Sequence, residues 1–323
     1  MPSTITRNTY GSSLIRIGET RVLAGTTLQV GKPSSSYPNR GDISINLDMG
    51  PICSPKYNQM NRIQPLDYQW NGTLFQQSLD KQKAIESWLM RTLIHPSRHH
   101  SGNGTKCSNH GEMLDLEQLI IEPHKSAWHV IVSVIVLNYD GNIEDAALMA
   151  AVTALLDTVL PPTKVVTDGN GNDVVALLDE PGSNDFINSG KRLKLNFVPI
   201  PLTIGLFQYQ VDNDGEDEGG KNQTDLVYKM LVDPTGEEES ILSGIMSIVI
   251  GLHCVDDGKG DYTVEIGKKS HILSINKPGG DVIVKSKDIA ACMQLCRGRA
   301  IELAPILKQI MNGHNIKEII EKE

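Results

Sequence analysis

Apolar positions cluster in two runs of the first segment, "GSSLIRIGETRVLAGTTLQVG", and predict two strands joined by a tight turn at Gly18-Glu19. Leu14, Ile15, Ile17, Val22, Leu23 and Val30 supply its apolar, partly β-branched content. A Pro- and Asn-rich loop follows, and then "DISINLDMG" alternates as a strand does. The period changes in "TLFQQSLDKQKAIESWLMRTLI", where Leu74, Leu79, Ile85, Leu89 and Leu93 keep one face of a helix. Residues 95–113 read as an irregular loop. "AWHVIVSVIVLNYD" is a long Val- and Ile-rich run and predicts a buried central strand. A helix over residues 143–159 comes next, closed by Pro161-Pro162. Its small residues, Ala146, Ala147, Ala150, Ala151 and Ala154, suit close packing on a sheet.

Strands resume after a Gly-, Asp- and Asn-rich insertion. Pro199 and Pro201 in "LKLNFVPIPLTIGLF" should lie at an edge or bulge, because proline cannot donate to a ladder. The acidic "VDNDGEDEGG" reads as a disordered loop. "LVYKMLVDPTGEEE", "ILSGIMSIVI" and "HILSINKPG" give three further strands. A last helix over about 286–311 starts at Ser286 as its N-cap and contains Pro305. The order predicts an α/β (α+β) fold with mixed sheets and packed helices, in a single domain over 11–311. Its halves are about 11–162 and 191–311, with loop insertions at 95–113, 163–190 and 211–225 and a tail at 312–323.

Composition narrows this reading. A chain of 323 residues with 39% hydrophobic content can bury a substantial core. The net charge of −9 gives no global field for nucleic acid, although a local basic groove is compatible with it. No apolar run is long enough to span a bilayer, and the N-terminal "MPSTITRNTYGSS" has no apolar h-region. The five scattered cysteines (Cys53, Cys107, Cys254, Cys292, Cys296) contain no CxxC and suit free thiols in a reducing compartment. In that setting the sequons at Asn71, Asn103 and Asn222 are turn-forming chemistry.

Candidate chemistry is sparse: no GxGxxG, P-loop, HExxH or GxSxG occurs. His95, His99, His100, Cys107 and His110 have the residue types of a zinc site, but the spacing fits no standard one, and a solvated loop is the favoured reading. Asp233, Glu237, Glu238 and Glu239 in "DPTGEEE" offer oxygen ligands for Mg²⁺. An Asp-Pro-Thr-Gly turn with a solvated acidic edge is the simpler account. Cys292 and Cys296 at i,i+4 fit buried apolar residues. The most informative stretch is "NYDGNIEDAALMAAVTALL". A strand, a glycine turn and a helix start make a natural anion site, yet the first helical turn carries Glu144 and Asp145.

Five segments in order, "GSSLIRIGETRVLAG", "LNYDGNIEDAALMAAVTALL", "FVPIPLTIGLF", "LVDPTGEEESILSGIMSIVI" and "INKPGG", resemble the RNase PH family. Within it they are most similar to the ring subunits of the eukaryotic RNA exosome. The resemblance implies an RNase PH-like fold, similar to the second domain of ribosomal protein S5. It also implies partners: other RNase PH-like ring subunits, cap subunits with S1 or KH domains, and RNA through the assembled channel, with no membrane. A nuclear, nucleolar and cytoplasmic location follows from the same likeness.

Active members carry Asp-Gly-Gly-Thr-Arg at this helix start, where hydroxyl, guanidinium and amides hold the attacking phosphate. Here Ile143 stands at the hydroxyl position and Glu144 at the arginine position, so a carboxylate replaces the phosphate fork. Glu144 itself is then expected to satisfy the helix N-terminus. The catalytic aspartate of the Gly-Glu-Ala-Asp run corresponds to Ile245, which neither ligates a metal nor takes a proton. The resemblance therefore implies an inert subunit with no cofactor and no metal, the alternative being an active phosphate-dependent exoribonuclease that uses Asp233 and Glu237 to Glu239. The chain departs from the family at its start, which lacks the basic helix before the first strand.

Overall fold

The computed structural model describes residues 9–54, 71–94, 113–167, 173–177, 190–216, 222–256, 262–265, 271–280 and 282–311. The first half is built on a five-stranded mixed sheet. β1 (Gly11–Ile17) and β2 (Thr20–Gly31) form the expected hairpin, with Gly18 in the left-handed region at φ 56°. β3 (Asp42–Asp48) leads to helix α1 (Asn71–Ile94), which buries Ile85, Trp88, Leu89 and Leu93. The side chains of Leu74 and Leu79 lie outside the described set. A short 3₁₀ turn at Leu116–Leu119, capped by Asp115, precedes β4 (Ile120–Glu122) and β5 (Ser126–Asn138). The order is β1-β2-β5-β3, with β4 also on β5, and β3 runs parallel to β5.

β5 is central, as its apolar run predicts, but it is buried on one face only. Val130, Val132, Val134 and Val136 are fully buried, whereas Ile131 and Ser133 are half-buried and Ile135 is 37% exposed. The continuous apolar sequence suggests two covered faces; an antiparallel neighbour on one side allows one face to stay open. The covered face rests on α2 (Ile143–Asp157), whose five alanines have no exposed surface. The approach is close: the Ser13 hydroxyl donates to the Ala150 carbonyl at 2.7 Å, and a Cβ at Gly11 would lie 2.6 Å from the Ala154 carbonyl oxygen. A helix apolar on all sides must be covered on all sides. The second sheet covers the other flank.

Short strands connect the halves. β6 (Val159–Leu160) pairs with β9 (Lys191–Arg192), and between them β7 (Thr163–Thr167) and β8 (Asp173–Leu177) form a hairpin. The span 163–190, expected as a loop, thus contains paired strands. The second sheet has β10 (Phe197–Glu216), β11 (Asn222–Val232), β12 (Gly244–Asp256), β13 (Tyr262–Glu265) and β14 (His271–Asn276), ordered β11-β10-β12-β13 with β14 also on β12. Pro199 and Pro201 pair with β12, but β11 joins β10 only from Ile204 onward. Each proline therefore sits where one flank of the strand needs no donor, as expected.

The described part of the span 211–225 is paired rather than free: Val211 pairs with Asp225 and Asp212 with Thr224, continuing the β10–β11 ladder. Main-chain bonds alone extend such a hairpin, so acidic composition does not prevent it. A one-turn helix α3 (Gly236–Glu239) joins β11 to β12. α4 (Ser286–Met311) includes Pro305 and covers the outer face of β10 and β12, enclosing Leu202, Ile204, Leu206, Met246, Ile248, Cys292 and Cys296. Cys53, Cys254, Cys292 and Cys296 are free, and burial pushes the Cys254 and Cys296 thiols up to about 12. Such thiols stay protonated and serve as packing groups. No described helix is long and apolar enough to cross a membrane.

Candidate functional site

The turn between β5 and α2 is Tyr139-Asp140-Gly141-Asn142. Gly141 has φ 85° and Asn142 φ 47°, so two successive residues lie in the left-handed region, which glycine and asparagine tolerate best. Gly141 is required for a second reason: a Cβ there would lie 2.2 Å from the Pro234 carbonyl oxygen. Thr20 fixes the turn from below, accepting from the Asp140 amide at 2.9 Å and donating to the Gly141 carbonyl at 2.7 Å.

The facing element is the Asp233-Pro234-Thr235 corner and α3. Asp233 is left-handed at φ 56°, and Thr235 and Glu238 form a reciprocal capping box. Hydrogen bonds from the Thr235 amide and hydroxyl hold the Glu238 carboxyl below the usual range. The corner docks on the turn through the Gly236 amide, which donates to Asp140 Oδ1 at 3.3 Å. The expected plain turn with a solvated acidic edge is therefore a helical turn whose last residue points inward. The Glu239 side chain is only 10% exposed.

Glu239 occupies the start of α2. Its Oε1 accepts the Asn142 backbone N–H at 2.8 Å, and its Oε2 accepts from the Tyr139 hydroxyl and from Lys81 Nζ at 3.3 Å. Lys81, from α1, also donates to the Tyr139 hydroxyl at 2.7 Å and lies 4.8 Å from the Tyr139 ring centroid. A backbone amide at a helix start, a phenol and an ammonium thus converge on one anion, and that anion is a side chain of the same protein. The expectation for Glu144 is corrected accordingly. Glu144 does not cap the helix: it turns toward β12 and accepts from the Ser247 hydroxyl. Burial pushes its pKa up, aided by Asp145 and Glu239 and opposed by the Ser247 hydrogen bond and Lys81.

Below this layer lies a buried network. Asp145, with no exposed surface, accepts from Arg299 Nη1 at 2.7 Å, the Thr203 hydroxyl at 2.7 Å, the Thr203 amide at 3.2 Å and Asn142 Nδ2 at 3.2 Å. Burial raises its pKa, while the guanidinium and these donors favour the charged form. Thr203 and Ser247 hydroxyls are 3.1 Å apart, which joins this network to Glu144. Asn142 Nδ2 also donates to Asp233.

Of the positions singled out in the sequence, Ile143 is 2% exposed and part of the core. Ile245 is half-buried on β12 opposite Gly205, two residues before Ser247 and on the same strand face. Through Ser247, Glu144 reaches the strand that carries Ile245. Three of the four acidic residues of "DPTGEEE" are engaged by the chain itself: Asp233 receives Asn142, Glu238 closes a capping box and Glu239 receives three donors. Among the described residues no group of three or more His, Cys, Asp or Glu is placed to hold a metal. His95, His99, His100, Cys107 and His110 lie outside the described residues.

Lys81, Tyr139 and Arg299 were not singled out from the sequence. The Thr235–Glu238 spacing was the one local signal for the capping box; nothing local marks Lys81.

Comparison with known proteins bears on the fold. Residues 3–161 match the RNase PH family model, described as 3′ exoribonuclease family, domain 1. The chain is 28% identical over 299 residues to "Exosome complex component Rrp42" of Saccharolobus solfataricus, covering 93% of this chain and 80% of that protein. It is also 28% identical over 240 residues to the Methanopyrus kandleri protein of the same name, covering 74% of this chain and 66% of that one. Among solved structures, an Archaeoglobus fulgidus exosome with RNA bound to the active site superposes at TM-score 0.58, with 20% identity, over 94% of this chain and 85% of that one. An archaeal exosome core superposes at 0.52, with 19% identity, over 96% and 84%. The first half carries an RNase PH-type domain, and the whole chain has the RNase PH-like fold.

Proposed function

We propose that this chain, built on the RNase PH-like fold, is a catalytically inert ring subunit of an RNA exosome, of the ribosomal RNA-processing protein 43 type. It contributes ring closure, part of the channel wall and a platform for S1/KH-type cap subunits, and so supports 3′-to-5′ processing of ribosomal RNA and turnover of messenger RNA in nucleus, nucleolus and cytoplasm. The single observation that carries the inert reading is the Glu239 carboxylate on the Asn142 amide. An attacking phosphate would need that amide, which Glu239 occupies, and it would find Ile143 at the hydroxyl position and Glu144, turned to Ser247, at the guanidinium position. Ile245 supplies neither proton nor metal ligand at the leaving oxygen. The names of the archaeal relatives support the ring assignment.

The finer assignment to the 43 type rests on "DPTGEEE" followed by "SGIMSIV" and "KPGG". The alternative, an active phosphorolytic enzyme using Asp233 and Glu237 to Glu239, would need the Asp233, Glu238 and Glu239 carboxylates, which the chain's own donors already engage.

Two measurements test the proposal. Affinity purification with mass spectrometry should recover other RNase PH-like chains, and their absence refutes the ring assignment. Labelled RNA incubated with the purified chain in phosphate buffer, with or without Mg²⁺, should release no nucleoside diphosphates. Ile143→Thr with Glu144→Arg should not restore release, because Ile245 remains. Phosphate-dependent product from the wild-type chain refutes inertness.

A further inference from the structure

The open face of the first sheet carries a cluster that the α2 corner does not use. Along β5 the residues Val130, Val132, Val134 and Val136 face the core, so His129, Ile131, Ser133 and Ile135 lie on the open side. β3 runs parallel to β5, with Asp42 level with His129 and Ser44 level with Ile131. The imidazole of His129 joins the two polar residues of its neighbour strand. Its Nε2 is 3.1 Å from the Ser44 hydroxyl oxygen, and its Nδ1 is 3.2 Å from Asp42 Oδ2. The other Asp42 oxygen, Oδ1, accepts the Ile43 N–H at 2.9 Å, which fixes the carboxylate. With a carboxylate on Nδ1, that nitrogen holds the ring proton, and Nε2 is left to accept from Ser44. A fourth group follows from the position of β3. It is an edge strand, paired among the described strands with β5 alone. The Ile43 N–H bonds Asp42, and the Leu47 carbonyl accepts from Gln82 at 2.6 Å, so the odd-numbered residues of β3 turn their backbone groups to the free edge. Ile45 is one of them, and it directly follows Ser44.

We propose that Ser44, His129 and Asp42 form a nucleophilic site for small uncharged acyl esters, separate from the α2 corner. Ser44 Oγ attacks the ester carbonyl carbon while its proton passes to His129 Nε2. The Asp42 carboxylate stabilises the imidazolium that forms, and the Ile45 N–H is the donor offered to the carbonyl oxygen as it gathers charge. The tetrahedral adduct then collapses: the bond from carbon to the alcohol oxygen breaks, and the alcohol leaves with the proton from His129. Water repeats the sequence on acyl-Ser44 and releases the acid. A nucleophile bonded to a base, and the base bonded to a fixed carboxylate, is the arrangement that performs acyl transfer on unrelated folds. The neighbours set the substrate. Ile131 and Thr27 continue the row beyond Ser44 and offer an acyl chain an apolar side chain and a methyl group, while Asp42 repels an anionic ester. His129 is 32% and Asp42 75% exposed, so water weakens every charge in the site, and the reaction is slow and tolerant of substrate. The site is independent of the ring assignment and of inertness toward RNA.

The test is reaction of the full-length chain with an alkyl fluorophosphonate, followed by peptide mapping in a mass spectrometer. Ser44 Oγ displaces fluoride from phosphorus and is marked covalently. The label should fall on Ser44, and the same peptide should stay unlabelled when the chain is unfolded in urea. Ser44→Ala should abolish it. His129→Gln keeps a hydrogen-bond partner for Ser44 but takes no proton, so it should slow labelling about a hundredfold or more, the low end of what a positioned base supplies. Asp42→Asn should slow it by no more than about fivefold, because an exposed ion pair is worth ~1 kcal/mol at most. Wild type should also hydrolyse p-nitrophenyl acetate faster than Ser44→Ala does. Matching urea midpoints exclude unfolding as the cause, and if His129→Gln fails to fold, Ser44→Ala and the urea-unfolded wild type still decide. Three results overturn the proposal: wild type labelled no faster than the unfolded chain, label that persists undiminished in Ser44→Ala, or folded His129→Gln labelled within about twofold of wild type.

Discussion

Glu239→Ala removes the acceptor on which α1, the β5–α2 turn and α3 converge. Asn142 is 3% exposed, so its N–H loses a partner that water replaces poorly, at a cost of about 1–3 kcal/mol. The negative charge at the start of α2 contributes a further ~0.3–1 kcal/mol. Lys81 is 38% exposed and regains water, so the ion pair itself contributes ~1 kcal/mol at most. With shared partners allowed for, the variant should be about 3 kcal/mol less stable than wild type. Glu239→Gln keeps an acceptor oxygen for the Asn142 amide and should lose only about 1 kcal/mol. Urea unfolding followed by tryptophan fluorescence reads the difference, because Trp88 and Trp128 are 2% and 5% exposed and both report on the core. Inorganic phosphate should raise the unfolding midpoint of Glu239→Ala and leave wild type unmoved, since the vacated amide, phenol and ammonium suit an oxyanion. An alanine variant within ~0.5 kcal/mol of wild type would show that the three donors are indifferent to the carboxylate. A glutamine variant weaker than the alanine variant would refute the same reasoning.

Gly141→Ala should destabilise by at least about 2 kcal/mol in the same assay, because φ 85° and a 2.2 Å approach to the Pro234 carbonyl oxygen both oppose a Cβ. Arg299→Met leaves fully buried Asp145 without its cation and should cost about 3–5 kcal/mol, with part of the loss recovered when Asp145→Asn is added. Glu144 gives a pH dependence. Its folded pKa is raised by burial, so the folded state holds a proton that the unfolded chain releases. Its contribution is present below the ordinary carboxylate pKa and is lost as pH rises through the raised value. As pH rises above the ordinary carboxylate pKa, unfolding midpoints should fall less steeply in Glu144→Gln, which keeps a partner for Ser247; an unchanged slope would refute a raised Glu144 pKa.

The sequence by itself determined the long elements and the residue types at the corner. The period-two runs at β1–β3, the helical period in α1 and the alanines of α2 are local patterns, and local sterics and burial read them without tertiary help. The residue types Ile143, Glu144 and Ile245 were equally legible, because a hydrocarbon or a carboxylate cannot become a phosphate fork in any fold. What the tertiary structure decided was which groups meet. The same acidic run reads as a solvated edge or as an inward cap, and only the docking of the Asp233–Gly236 corner on Asp140 and Gly141 turns Glu239 toward Asn142. Lys81 and Arg299 look like ordinary helix-surface cations in sequence; packing of α1 and α4 brings them to Glu239 and Asp145. The open face of β5 and the paired strands at 211–225 escaped the pattern for the same reason. Periodicity records what one segment prefers, whereas burial and pairing depend on the neighbour that the rest of the chain supplies.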